Sequence, residues 1–307
     1  MPYFVLTRFV QALFALLGVT TLVFLILHLS GDPVALMVPE GASAEDIERL
    51  RRQFGFDRPL VVQFGDYLAG IATGDLGISY IQNTPVLGIV ASRVPYTLKL
   101  TAGALAIALV VGLPIGVLAA LARGRWPEKP AMALVLAAQS MPTFWSGILL
   151  IMLFAVTLDW LPSSGAEHAV SIILPALCLS GLTMATFARI TRNAVVEELG
   201  KDYVRAARAR GQSRLSVVLR HVLRNASIPL ISVVALELAN MLAGAVIVET
   251  VFARPGLGLL AVQAIQANDF VVVQALVLLG AGFYIAMNLV ADLLYGMVDP
   301  RIKAPGR

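Results

Sequence analysis

The sequence predicts an all-α integral membrane protein with six transmembrane helices. Three observations carry that prediction. The 307 residues are 58% hydrophobic and 14% charged, with a mean hydropathy of +0.83, whereas soluble domains hold roughly 45–50% apolar and 25% charged residues. The apolar residues gather into runs long enough to cross a hydrocarbon core of about 30 Å, which takes about 20 helical residues at ~1.5 Å each. These runs are continuously apolar and do not alternate, which excludes a transmembrane barrel.

The first run extends from Phe9 to Leu29. It exceeds the roughly 7–15-residue apolar core of a cleaved signal, and no small-residue cleavage site follows, so it reads as a retained first span. The other five spans cover 97–122, 131–158, 170–190, 228–252 and 271–297. Pro114, Pro142 and Pro175 fall inside spans, where neighbouring helices or a cavity can satisfy the freed carbonyls. Gly112 and Gly116 form a small-xxx-small pattern that lets two helices approach closely.

Orientation follows from Lys and Arg. Arg8, the 123–129 loop, the stretch from 189 to 224 and the C-terminal tail hold sixteen of the 23 basic residues. Basic residues concentrate on the cytoplasmic side, so these segments and both termini are expected inside. The chain then divides into a first span at 1–30, an extracytoplasmic segment at 31–96, a transmembrane domain at 97–300 and a cytoplasmic tail at 301–307.

In the extracytoplasmic segment, Ser43 to Asp46 resembles a capping box. Ile47, Leu50 and Phe54 recur at helical spacing before Gly55. Pro59 opens a second short helix through Tyr67, Leu68 and Ile71, and Gly74-Asp75-Leu76-Gly77 reads as a turn. This cap either receives a soluble partner or only covers helix ends.

The stretch from 202 to 230 carries six arginines. Asp202 can cap a first short helix in which Tyr203, Ala206, Ala207 and Arg210 share a face, with Gly211 as its stop. Ser213 can cap a second helix, with Leu215, Val218, Leu219 and Val222 as its apolar stripe and Arg214, Val217, His221 and Arg224 opposite. Two readings stand for the first helix: its small-residue face seats in a groove of another protein, or it is a basic interfacial helix held by anionic lipid. No aromatic platform accompanies the arginines, which argues against nucleic acid.

In span five, Glu237, Asn240 and Gly244 lie on one face with Met241 beside them. An acid at membrane depth costs about 2.5–3.5 kcal/mol on insertion scales, so Glu237 should face a cavity or a partner. It either lines a translocation path or is hydrogen-bonded at an interface. Asp292, near the inner end of span six, is expected to pair with a basic neighbour. The single Cys178 and three dispersed histidines supply neither a disulfide nor a metal site. No G-x-x-x-x-G-K-[ST], H-E-x-x-H or G-x-S-x-G motif is present.

Several strings in order carry a resemblance. They are Gly31-Asp32-Pro33, Phe54 to Leu60, Gly74 to Ser79, Asp202 to Gly211, Arg220 to Ala226, Glu249 to Phe252 with Pro255 to Gly258, Asp292 to Gly296, and Asp299 to Arg301. With them the chain resembles, essentially end to end, the inner-membrane permease subunit of binding-protein-dependent ABC importers, in the dipeptide/oligopeptide/nickel branch. The resemblance implies the type I importer (MetI-like) permease fold. It implies an EAA-type coupling loop at 192–227, in which Tyr203, Val204, Ala206, Ala207, Arg210 and Gly211 dock to a cytoplasmic ATPase. Arg205 stands where the general pattern has Glu. The implied partners are two ATPase subunits that carry ATP and Mg, a second homologous permease, and an extracytoplasmic solute-binding protein; no cofactor is expected in this chain. The implied cargo is a di- or oligopeptide, with a nickel chelate or glutathione as the alternative. A stand-alone secondary transporter would need internal repeats, and none is evident.

Overall fold

A computed structural model of the chain describes residues 2–29, 43–53 and 55–298. Gly31-Asp32-Pro33, Phe54 and residues 299–307 lie outside the described residues. The described chain is helical, apart from one antiparallel bridge between Ile78 and Pro85.

The elements run in order as α1 (Pro2–Leu29), α2 (Ala44–Gln53), α3 (Leu60–Thr73), α4 (Val86–Leu121), α5 (Glu128–Ser140) and α6 (Thr143–Leu150), the last continuing as a π-helical segment, Ile151–Thr157. Then come α7 (Ile173–Leu199), α8 (Asp202–Ala209), α9 (Arg214–Val217), a second π segment (Val218–Val222), α10 (Leu223–Ala226), α11 (Ile228–Val251), α12 (Leu257–Gln266) and α13 (Phe270–Val298). Five helices are long and apolar enough to span, and the count reaches six when the bent pair of α5 with α6 and its π extension is taken as one span.

Two spans differ from expectation. Residues 86–96, expected outside the membrane, are the first turns of α4. Pro85 supplies a preset φ of −59° at the cap, and Val86 and Val90 pack against Leu260, Ala264 and Val272. At ~1.5 Å per residue this helix is about 54 Å long, well beyond a ~30 Å core, so its early turns protrude. The third span is not straight: α5 and the α6 segment meet at 107°. Met141 before Pro142 is extended (φ −83°, ψ 130°), as the residue preceding a proline prefers. By contrast Pro175 falls in the first turn of α7, where the missing N–H costs nothing.

The small-residue pattern of α4 meets α7. A Cβ on Gly112 would lie 2.7 Å from the Met184 carbonyl oxygen, and one on Gly116 2.4 Å from that of Ala188. Around this contact Leu100, Ala104, Ala108, Leu174, Leu179, Phe187, Met241 and Val248 form the main core. The α3 helix begins after Pro59, ends at Gly74 in the left-handed region (φ 80°), and stacks Phe64 and Tyr67 on Phe24 of α1. Exposed Trp126 and Trp160 sit at opposite ends of the spans, where indoles favour the two membrane interfaces.

At the end holding most of the arginines, Arg8 pairs with Asp292 at 3.3 Å, as expected for the latter. There Glu128 accepts from Arg192 Nε at 2.9 Å and from the Gly124 amide at 2.7 Å, tying α5 to α7.

Candidate functional site

The loop after α7 is folded onto the Arg-rich end of the spans. Val204, Ala207, Val217, Val222 and Ala226 pack with Ala120 of α4 and Val195 of α7. The expected outward face of Tyr203, Ala206, Ala207 and Arg210 is therefore split. Ala207 and Val204 turn inward, Tyr203 is half-buried, and Ala206 and Arg210 are exposed. The outward side of α8 is Asp202, Arg205, Ala206 and Ala209, and Arg205 pairs with Asp202 at 3.3 Å. A helical period shows which residues share a face; a branched Val and a small Ala over the α7 end decide which face turns in.

Gly211 takes φ 81°, and the Ser213 hydroxyl accepts the Ser216 amide at 3.3 Å, so the stop and the cap fall where the sequence places them. The second stripe is redistributed. Val217, Val218 and Val222 are buried, while Leu215 and Leu219 stand 66% and 58% exposed. The π segment at Val218–Val222 widens the turn, and Val217, expected on the other side, lies on the inner one. Two exposed leucines remain on a segment that also exposes Arg214, Arg220 and Arg224.

One carboxylate organises this loop. Glu198, in the last turn of α7, accepts from Lys201, from the Tyr203 hydroxyl at 2.6 Å and from Asn225 Nδ2 at 3.4 Å. The hydrogen bond to Glu198 raises the Lys201 ammonium above its ordinary pKa. Burial, then the Glu198 carboxylate, raises the Tyr203 phenol. Both groups hold their protons at neutral pH, so both remain donors.

In the spans, Glu237 is half-buried and accepts from the Thr183 hydroxyl of α7 at 2.8 Å. Gly244 also faces α7, near Leu179. Asn240 is exposed. Met241, expected beside a path, is 2% exposed and belongs to the apolar core. The structure thus sets Glu237 and Gly244 against α7 and turns Asn240 away from the protein.

A third constellation, at the opposite end, was not read as a site from the sequence. Glu249, fully buried in the last turn of α11, accepts from Thr97 Oγ1 at 2.6 Å and from the amides of Gly258 and Leu259 at 2.7 and 3.2 Å. Thr97 in turn accepts the Leu257 amide at 2.8 Å. Together they satisfy the first three amides of α12, groups that a helix start leaves open. Any Cβ on Gly256 would overlap the Glu249 carboxylate, 2.1 Å away. Arg254 is 4% exposed, its Nε has no acceptor, and burial lowers its pKa. An acid one turn before the end of an apolar span, followed by Pro-Gly-x-Gly, was the available signal. Nearby, Ser79 donates to Asp269 and pins the 74–85 turn to the α12–α13 connection. Among the described residues no cluster of His, Cys, Asp and Glu could hold a metal ion.

The profile of the binding-protein-dependent transport system inner membrane component matches residues 112–304, and its N-terminal companion matches 1–101. The chain belongs to that family. It is the permease of an ABC importer, a multi-pass inner-membrane protein, and the family is not an enzyme family. Similar proteins include the glutathione transport system permease protein GsiC of Escherichia coli K12, 41% identical over 301 residues and 98% of each chain. The protein of the same name from Salmonella choleraesuis is 42% identical over the same share. Among solved structures, an inward-facing form of the MetNI methionine ABC transporter matches with a TM-score of 0.56 at 22% identity, over 69% of the permease and 97% of that chain. A second crystal form of that transporter gives 0.58 at 23% identity. These likenesses show the MetI-like permease fold.

Proposed function

We propose that the permease carries small peptides, glutathione among them, across the inner membrane as half of a translocation pathway. The observation that carries this reading is the 41% identity along 98% of both chains to permeases named for glutathione transport. A second homologous permease completes the path, and an extracytoplasmic solute-binding protein delivers the cargo to the side that bears α2 and α3. Two cytoplasmic ATPases hold the ATP and Mg and hydrolyse the nucleotide; the permease has no such activity. Both termini are cytoplasmic, so the Arg-rich end faces the ATPases.

The transmembrane domain at 97–300 supplies the path, and Glu237, Asn240 and Gly244 line it, with Glu237 meeting polar groups of the peptide. The loop at 192–227 couples it to the ATPases through the outward side of α8 and through Leu215 and Leu219. Buried Val204 and Ala207 support that surface from beneath. Burying Leu215 and Leu219 in an ATPase groove would add hydrophobic stabilisation to that contact.

The test is uptake of labelled glutathione by proteoliposomes of the complete importer, with ATP in the lumen and the binding protein outside. ATP-dependent accumulation is expected, with inhibition by short peptides. Glu237→Gln should raise the half-saturating concentration about tenfold, the scale of one hydrogen bond to a charged group, at unchanged assembly. Accumulation of a nickel chelate but not of glutathione would refute the cargo assignment. An unaltered substrate profile for Glu237→Gln would remove it from the path.

A further inference from the structure

Glu198 is in an unfavourable place for a carboxylate. It is 8% exposed, one residue before the last of a transmembrane helix, where the helix dipole is negative. A well-packed apolar residue at such a position would be no less stable than a buried ion pair. Its neighbour Glu197 points out, with a side chain 76% exposed. What the acid provides is a set of directed contacts to three elements at once. Lys201 and Tyr203 sit at the start of α8, and Asn225 sits in α10, which runs directly into α11. Both α7 and α11 continue toward the Thr183–Glu237 hydrogen bond.

We infer that Glu198 is a positioning residue for energy coupling: its carboxylate makes α8 move as one body with the inner ends of α7 and α11. This rests on the reading of α8 as the ATPase-docking helix. The apolar cluster beneath α8 is non-directional and would allow it to slide. A carboxylate shared between a phenol, an ammonium and an amide does not allow that sliding, because displacing α8 stretches charge-assisted hydrogen bonds. Pushing or pulling on α8 would then reposition the two helices that meet at Glu237.

The experiment uses the complete importer in nanodiscs, with permease pair, ATPases and binding protein, and glutathione as the probe. ATP hydrolysis is measured with and without glutathione-loaded binding protein. Glu198→Gln keeps the volume; Lys201→Met removes the ammonium that donates to Glu198 and keeps the chain length. Both variants are expected to co-purify with the ATPases, with basal rate and KM for ATP unchanged. The stimulated kcat should fall about tenfold, the scale of one charge-assisted hydrogen bond. The double variant should be no worse than Glu198→Gln alone, and Glu198→Asp should recover part of the stimulation.

Full stimulation in Glu198→Gln overturns the inference. So does a joint loss of co-purification and basal rate in both variants, which would make the residue merely structural. A wild-type permease that never co-purifies with ATPases overturns the coupling reading itself, and this inference with it.

Discussion

Glu249→Ala should collapse the end of the permease remote from the Arg-rich loop. The substitution leaves the Gly258 and Leu259 amides and the Thr97 hydroxyl without the oxygen atoms they use now. It also leaves Arg254 buried without the carboxylate that balances its charge. An unsatisfied buried polar group costs about 1–3 kcal/mol, and three such groups are left. The expected loss is at least about 3 kcal/mol, large for a single substitution. Glu249→Gln keeps volume and one acceptor and should lose less. Fluorescence-detected size exclusion of detergent-solubilised permease after a heating series reads this directly. An Ala variant with the wild-type midpoint would show that the carboxylate does not hold α12.

Gly116→Ala should be nearly as damaging, for a steric reason. Its Cβ would stand 2.4 Å from the Ala188 carbonyl oxygen, 2.7 Å from Thr191 Cβ and 3.1 Å from the Arg192 amide nitrogen. Two of these obstacles are backbone, so no rotamer change relieves them, and α7 must shift away from α4. Overpacking usually costs about 1–3 kcal/mol, and a rigid obstacle puts this position at the upper end. Gly181, also in α7, is the internal control. A Cβ there meets nothing within 4 Å, so Gly181→Ala should be neutral or gain up to about 1 kcal/mol of helix propensity. The same heating series separates the two. Equal midpoints for Gly116→Ala and Gly181→Ala would refute the close α4–α7 contact.

These two positions show how differently legible the molecule was. The Gly112–Gly116 pattern announced a close helix contact because only glycine has no Cβ, and that chemistry is local. Local chemistry likewise placed Pro59, Gly74, Gly211 and the Ser213 cap. Six apolar runs located the spans, but neither the early start of α4 nor the bend after α5 was visible in them. Pro95, Arg93 and Lys99 interrupt the hydropathy of α4, yet its first turns are stabilised by α12 and α13, which are distant in sequence. Pro142 was visible, but a proline between two helices does not by itself fix the 107° angle between them.

Sidedness was the other blind spot. Ala207 and Met241 fell on the expected helical faces, and both turned inward, because orientation about a helix axis is set by tertiary neighbours. Glu249 and Glu198 escaped as sites because one partner of each, Thr97 and Asn225, is remote in the chain and ties it to another helix. A family string containing Glu249 was plain to see; its role in capping α12 was not.

If separate ATPases drive this permease through the loop at 202–226, its exposed leucines should be needed to hold them. The most direct measurement is co-purification of the ATPases with a tagged permease carrying Leu215→Glu and Leu219→Glu. Both side chains are exposed, so the permease itself should fold and insert normally. The wild type should retain its ATPases, and the variant, recovered from the membrane in equal yield, should lose most of them. Equal retention by the two would contradict it.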